Sequence, residues 1–192
     1  MGQVSVKNEC TIPASPETVY AVLADYKEKR PLILTPNFLD YKVESGGQGS
    51  GTVVSYRLRA ANRERAYRMR VDEVVKGEEL MERDRNSSLV TTWRVSPQDD
   101  GRLARVQVTT QWEGGSGVGG FFERTFAPLG LHRIYNQMLD MLASVVAPEP
   151  KQNGAIVVRK PESLAPTIVL VGAAAAAVSA YGLYLIGKRK RD

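Results

Sequence analysis

The sequence predicts an α+β grip: a curved antiparallel sheet of about seven strands around a long C-terminal helix. Two short helices follow the first strand, and a transmembrane helix is expected at the C-terminus. Three observations lead there. One strand-like alternation precedes helical text, six more strand-like runs follow with only short turns between them, and one long amphipathic run comes last. Parallel neighbours need crossovers of a dozen residues or more, so short turns call for an antiparallel meander. Such a sheet has an apolar concave face, and the long run supplies its cover.

Taken in order, Val4, Val6, Asn8, Cys10 and Ile12 alternate with Ser5, Lys7, Glu9 and Thr11, the pattern of a half-buried strand. The period then changes. In "PASPETVYAVLADY", Ser15 suits an N-cap and Pro16 the first helical position, while Val19, Val22 and Leu23 share one face. A second short helix is expected near Lys27 to Leu34, stopped by Pro36. From Phe38 to Trp112 come "FLDYKVES", "GTVVSYRLRA", "RAYRMRVDEVV", "EELMERDR", "SLVTTWRVSP" and "RLARVQVTTQW", separated by Gly, Asn and Asp turn signals. The closing helix places Phe121, Phe122, Phe126, Leu129, Ile134, Tyr135, Met138, Leu139, Met141, Leu142 and Val145 at three- and four-residue steps. Pro128 is expected to kink it or divide it in two.

Residues 1–147 form the folded domain in this reading. Residues 148–165, with prolines at 148, 150 and 161 and a fourth, Pro166, just beyond, read as a linker, 166–187 as a membrane-spanning helix and 188–192 as a basic tail. No charged residue occurs from Ser163 to Gly187, and Lys188 to Arg191 follow at once. Gly172, Ala176 and Ala180 recur every four residues, which suits self-association of two such helices. The opening "MGQVSVKNEC" has no long apolar run of a secretory signal, and Val6 stands where an acylation signal needs Ser or Thr. The expectation is therefore a single-pass protein of the cell membrane with its N-terminal domain in the cytoplasm. Lys151, Arg159 and Lys160 pull the orientation the other way with one charge fewer than the tail.

Composition excludes several classes. The net charge is +5, but the seven basic and three acidic residues beyond 147 account for +4 of it. The remaining +1 gives the domain no basic face for nucleic acid. Cys10 and His132 are the sole members of their types, so neither an intrachain disulfide nor a cysteine-based zinc cluster can form. No metal and no cofactor is expected. "GSGVGG", at 115–120, satisfies G-x-G-x-x-G, but a dinucleotide turn needs a first strand before it and a parallel strand after it. Here it follows the last strand, so it reads as a hinge into the long helix, flanked by Glu113 and Glu123.

With these elements placed, "IPASPETVYAVLADYKEKRPLI" resembles the START-like helix-grip superfamily (SRPBCC), in its polyketide cyclase/dehydrase and lipid-transport branch. Ile12 to Tyr20 match that family's helix start, and Leu23-Ala24-Asp25-Tyr26 its helix end. The "VESGGQGSGTVVSYRL" hairpin and the closing helix match as well, so the likeness covers roughly residues 3 to 147. It implies a helix-grip fold around an internal cavity, and a binder, carrier or enzyme. The family often carries an aromatic after the first helix, where this chain has Arg30-Pro31-Leu32-Ile33-Leu34, so its ligand preference does not carry over.

Alternation names the cavity lining: Val54, Tyr56 and Leu58; Tyr67, Met69 and Val71; Thr91 and Trp93; Val106 and Val108; and Phe122, Tyr135 and Met138 from the helix. Leu89, Val95, Ala104, Thr110, Trp112 and Leu142 continue these rows. The expected function is membrane-tethered binding or transfer of a lipid or other hydrophobic small molecule. The alternative is a cyclase- or dehydrase-like enzyme using His132 or a carboxylate near the pocket. Arg57, Arg59, Arg68 and Arg70, with Glu64, Asp72 and Glu73, read as a solvated, charge-paired outer face.

Overall fold

The computed structural model describes residues 2–60, 63–114 and 117–147; for 117–126 it describes the backbone alone. The elements are β1 (Gln3–Ile12), α1 (Pro16–Ala24), a short 3-10 turn (Arg30–Ile33), β2 (Phe38–Ser45), β3 (Val53–Ala60), β4 (Arg63–Val75), β5 (Glu79–Asp84), β6 (Val90–Gln98), β7 (Leu103–Glu113) and α2 (Gly117–Val146). A three-residue 3-10 turn, Asp99–Gly101, joins β6 to β7. The seven strands form one antiparallel sheet in the order β1-β7-β6-β5-β4-β3-β2. Only β1 leaves sequence order: it crosses to pair with β7, from Gln3↔Glu113 to Ile12↔Ala104. This is the α+β grip, and it falls within one compact unit, Met1–Lys151.

Local chemistry fixes the ends. Ser15 caps α1, its side chain accepting from the Thr18 amide at 3.3 Å, and Pro16 occupies the first turn. After α1, Asp25 Oδ1 accepts from the amides of Lys27 and Glu28 at 3.1 and 3.0 Å. The Gly46–Gly51 loop is tied to the same place: Tyr26 N donates to Gly47 O and Gly49 N to Ala24 O, both at 2.9 Å. The turn after α1 is thus held from two sides, and that fixes where Arg30 points.

The inner face holds the core. Val6, Ile12, Met69, Val71, Leu80, Trp93, Val95, Val106 and Val108 are buried against Val19, Leu23, Ile33, Met138 and Leu142. On the outer face Arg57 pairs with Asp40 and Glu64 at 2.7 and 2.8 Å, Arg68 with Glu44 at 2.7 Å, and Arg70 with Asp72 at 3.4 Å.

Three details depart from the sequence reading. Pro128 does not divide α2, which runs unbroken from Gly117 to Val146. Leu129 and Val145 are exposed, and Leu131 and Val146 are buried instead, because the helix turns a slightly different stripe to the sheet. Glu73 belongs to the inner face, since it shares parity with Val71. It accepts a hydrogen bond from the Tyr20 hydroxyl, which holds its carboxyl below the usual range. Among the described residues, no helix is long and apolar enough to cross a membrane. The expected linker, spanning helix and basic tail, 148–192, lie outside those residues, as do Gly115 and Ser116 of the expected hinge.

Candidate functional site

Strand register assembles the site. β5 reads Leu80, Glu82, Asp84 inward, and the pairs Val71↔Glu82, Glu82↔Thr91 and Thr91↔Thr110 lay a polar row across the middle of the apolar face. Glu82 is buried there. An isolated carboxylate at such a place is prohibitively costly, so it needs a partner. The turn after α1 provides one. Arg30 enters from above, and its Nη2 lies 2.7 Å from Glu82 Oε1. Tyr26, held by the same turn, donates its hydroxyl to the same oxygen at 2.7 Å. Tyr41 on β2 donates to the Tyr26 carbonyl at 2.8 Å and completes the bracket.

The Arg30 guanidinium also stacks on the Trp93 ring, 4.3 Å from its centroid, and lies 5.4 Å from that of Tyr26. Burial is the largest influence on the Arg30 pKa and would lower it, but Glu82 together with Tyr26, Tyr41 and Tyr56 raises it overall, so the guanidinium stays charged. Burial and the Glu82 charge push the Tyr26 phenol well above its ordinary value. Burial does the same at Tyr56 and pushes Tyr135 up to about 12. All three hydroxyls remain phenols at neutral pH.

Beneath α2 these groups line a partly open hollow of about 30 Å³, bordered by Tyr26, Arg30, Leu34, Phe38, Tyr41, Val54, Tyr56, Glu82, Thr91, Trp93, Tyr135 and Met138. That volume is about one water molecule's share of liquid. The expected oily chamber is therefore a small hollow with an aromatic wall and a buried ion pair. Phe38 and Tyr56 lie 5.0 Å apart by centroid, Tyr56 and Tyr67 5.7 Å, and Trp93 meets Tyr135 edge-on at 6.0 Å. Thr91 and Thr110 share a hydrogen bond at 2.8 Å, and Tyr135 bonds Thr110 in turn.

Of the residues singled out by alternation, Val54, Tyr56, Thr91, Trp93, Tyr135 and Met138 border the hollow. Met69, Val71, Val106 and Val108 are fully buried in the surrounding core, and Leu58 and Tyr67 are half-buried beside it. The Phe122 side chain lies outside those described. Sequence reasoning missed Tyr26, Arg30, Tyr41 and Glu82. The signal for Glu82 was in the text, since "ELMERD" alternates and puts an acid at an inward position. Arg30 carried no such signal, because its burial depends on a turn fixed by tertiary hydrogen bonds.

His132 is not among the lining residues. Its Nδ1 lies 2.8 Å from Asn8 Oδ1 in the seam between β1 and α2, where Asn8 also donates to Asn136. Glu113 is exposed at the sheet's end, beside a groove of about 420 Å³ that also involves Gln3, Ser88 and Trp112. That groove has no buried ion pair and lies away from the Arg30–Glu82 bracket, so the interior hollow is the candidate site. Among the described residues no group of His, Cys, Asp and Glu could hold a metal ion.

With this geometry in place, the chain can be compared with known proteins. A family model described as polyketide cyclase / dehydrase and lipid transport matches residues 3–147. The KanY protein, solved by NMR in solution, is 43% identical, with a TM-score of 0.67 over 77% of this chain and 100% of its own. The ZhuI aromatase/cyclase from Streptomyces sp. R1128 is similar in fold at 15% identity, TM-score 0.64, over 81% of this chain and 100% of that one. A START superfamily protein from Mycobacterium smegmatis is similar at 13% identity, TM-score 0.52, over 75% and 94%. No curated protein matches the chain.

Proposed function

The chain belongs to the polyketide cyclase / dehydrase and lipid transport family, and on that premise we propose that it binds a small hydrophobic molecule between its curved sheet and α2, close to a membrane surface. The observation that carries this reading is the aromatic wall of Phe38, Tyr56, Trp93 and Tyr135 around an interior hollow. Pockets for small apolar ligands combine such walls with a few fixed polar groups. The hollow is small, so entry of a ligand requires side chains near Leu34 and Phe38 to give way or the start of α2 to lift. The glycines before α2 suit that movement.

The membrane part rests on sequence. The uncharged run from Ser163 to Gly187, closed by Lys188 to Arg191, supports a tail anchor. Anchoring holds the pocket where an oily ligand dissolves and raises its effective concentration. The test is to incubate the purified full chain with a membrane lipid extract, re-isolate it and analyse it by mass spectrometry. A stoichiometric hydrophobic compound is expected, and repeated recovery of bare protein would end the proposal.

A cyclase or dehydrase reading is favoured by one observation, a buried carboxylate beside a phenol at the hollow. In that reading Glu82 and Tyr26, rather than His132, face the substrate. Turnover of aromatic polyketone substrates abolished in Glu82→Gln and kept in His132→Ala is the expected result. Loss in His132→Ala alone would return the chemistry to the β1–α2 seam.

A further inference from the structure

The small net charge of the domain hides an uneven distribution. Residues 57–70, around the β3–β4 turn, carry six arginines and a single acid, Glu64. This hairpin also outruns its neighbours. β2 pairs with β3 only as far as Leu58, and β5 pairs with β4 only from Met69 onward. No strand lies beside Arg63 to Tyr67 on the side away from β3, and all five are exposed except the half-buried Tyr67.

Most arginines of this region have a carboxylate. Arg57 meets Asp40 and Glu64, Arg59 shares Glu64, Arg68 takes Glu44, and Arg70 and Arg83 take Asp72. Arg63, Arg65 and Arg85 are exposed and pair with no carboxylate among the described residues. Arg85 belongs to the same end of the sheet, because its amide donates to the Arg68 carbonyl at 2.9 Å. Arg65 lies over the Tyr67 ring instead, 5.3 Å from its centroid. Tyr67, Tyr56 and Phe38 then follow one another at 5.7 and 5.0 Å. Tyr56 and Phe38 border the hollow, so an aromatic track joins it to the unpaired arginines.

Charges that only guard a free strand edge can be of either sign. Here the uncompensated ones are all guanidinium, the group that meets phosphate oxygens two at a time. They adjoin tyrosine, a residue of the head-group level of bilayers. Nucleic acid calls for a longer run of uncompensated charge. An anionic lipid surface suits both the arginines and the track.

Building on the reading of a hydrophobic pocket close to a membrane, we infer that the β3–β4 hairpin is the surface that docks on an anionic bilayer. Arg63, Arg65 and Arg85 meet lipid phosphates there, and Tyr67 lies at head-group level on the way to the hollow.

The test reconstitutes the full chain in vesicles of phosphatidylcholine, alone or mixed with phosphatidylglycerol, with a spin-labelled head group as quencher. Cys10→Ala removes the native thiol. A fluorophore is attached through Ala66→Cys on the hairpin or, as a control, through Lys76→Cys at the other end of β4. Quenching at the hairpin is expected to be several-fold stronger in the anionic vesicles and to fall in high salt. Arg63→Gln/Arg65→Gln should return it to the neutral-vesicle level with the thermal transition unchanged, since both side chains are exposed. Equal quenching in both compositions, stronger quenching at the control position, or no effect of the double variant overturns the docking and leaves the anchor standing. Flotation reports the anchor separately. A chain that floats with the anionic vesicles alone overturns the anchor and keeps the docking, and one that floats with neither overturns both. A hairpin label that responds to a single-stranded oligonucleotide but not to anionic vesicles overturns the docking in favour of a nucleic-acid partner.

Discussion

Arg30 and Glu82 decide most at the scale of single residues. Each is buried and each depends on the other, so deleting one leaves an uncompensated charge in the core. Arg30→Met and Glu82→Leu are each expected to lose about 3–5 kcal/mol in urea unfolding. The double variant should recover much of that, because two apolar side chains then fill the same space. Additive losses in the double variant would mean that the pair is not coupled. The phenols around the pair make a second prediction. Burial raises Tyr26 and Tyr56 well above the ordinary value and Tyr135 to about 12, whereas in the unfolded chain each ionises near pH ~10. The unfolded state then releases protons that the folded state keeps. Stability from these groups is therefore full below pH ~10 and falls as pH rises through their folded values. Tyrosinate absorbance of the buried phenols should appear together with loss of near-ultraviolet dichroism. Smooth ionisation near pH ~10 with the fold intact would contradict it.

At the scale of elements, the turn after α1 and the β2–β3 loop act as one unit, and glycine is needed in a specific place. Gly46 has φ +69°, and a Cβ there would lie 2.8 Å from the Thr52 Cα, a backbone atom that cannot swing away. Gly51 has φ +84° but open space around it. Gly51→Ala should cost about 1–2 kcal/mol from the left-handed backbone alone, and Gly46→Ala clearly more. Equal midpoints in urea would show that the clash is relieved elsewhere. The helix start was legible because a cap depends on neighbours in sequence: Ser15 and Pro16 act as their types suggest. The strands were legible for a similar reason, since period-two alternation in "FLDYKVES" and its successors needs only one buried face. The spacing along α2 alone places Leu129 and Val145 inward, slightly off the buried stripe, because several stripes of a broadly apolar helix satisfy the same spacing. Leu142, fully buried under the sheet, gives a control: Leu142→Ala should cost about 2–5 kcal/mol.

At the scale of the whole molecule, β1 pairs with β7 while the other five strand pairs are neighbours in sequence, so the first strand extends the meander past its last strand, and β1 and β2 form the sheet's two edges. The chain beyond residue 147 lies outside the described residues, and its proposed role as an anchor makes a prediction at this scale. The full protein should stay with membranes through alkaline carbonate extraction, and a chain ending at Lys151 should not. Release of the full protein by carbonate would refute the anchor and leave the pocket untouched. The sequence by itself determined the strand count, the capped first helix, the closing helix and the inward rows of the sheet, because each follows from spacing along the chain and from a single rule of burial. Only the tertiary structure decided that Arg30 is interior and joined to Glu82, that Glu73 turns to Tyr20, and that the space beneath α2 is a small polar-centred hollow. Those features arise where residues 52 or 53 positions apart are brought into contact. The energy of a buried charge depends on which partner the fold places within a hydrogen bond of it, and no local pattern records that partner.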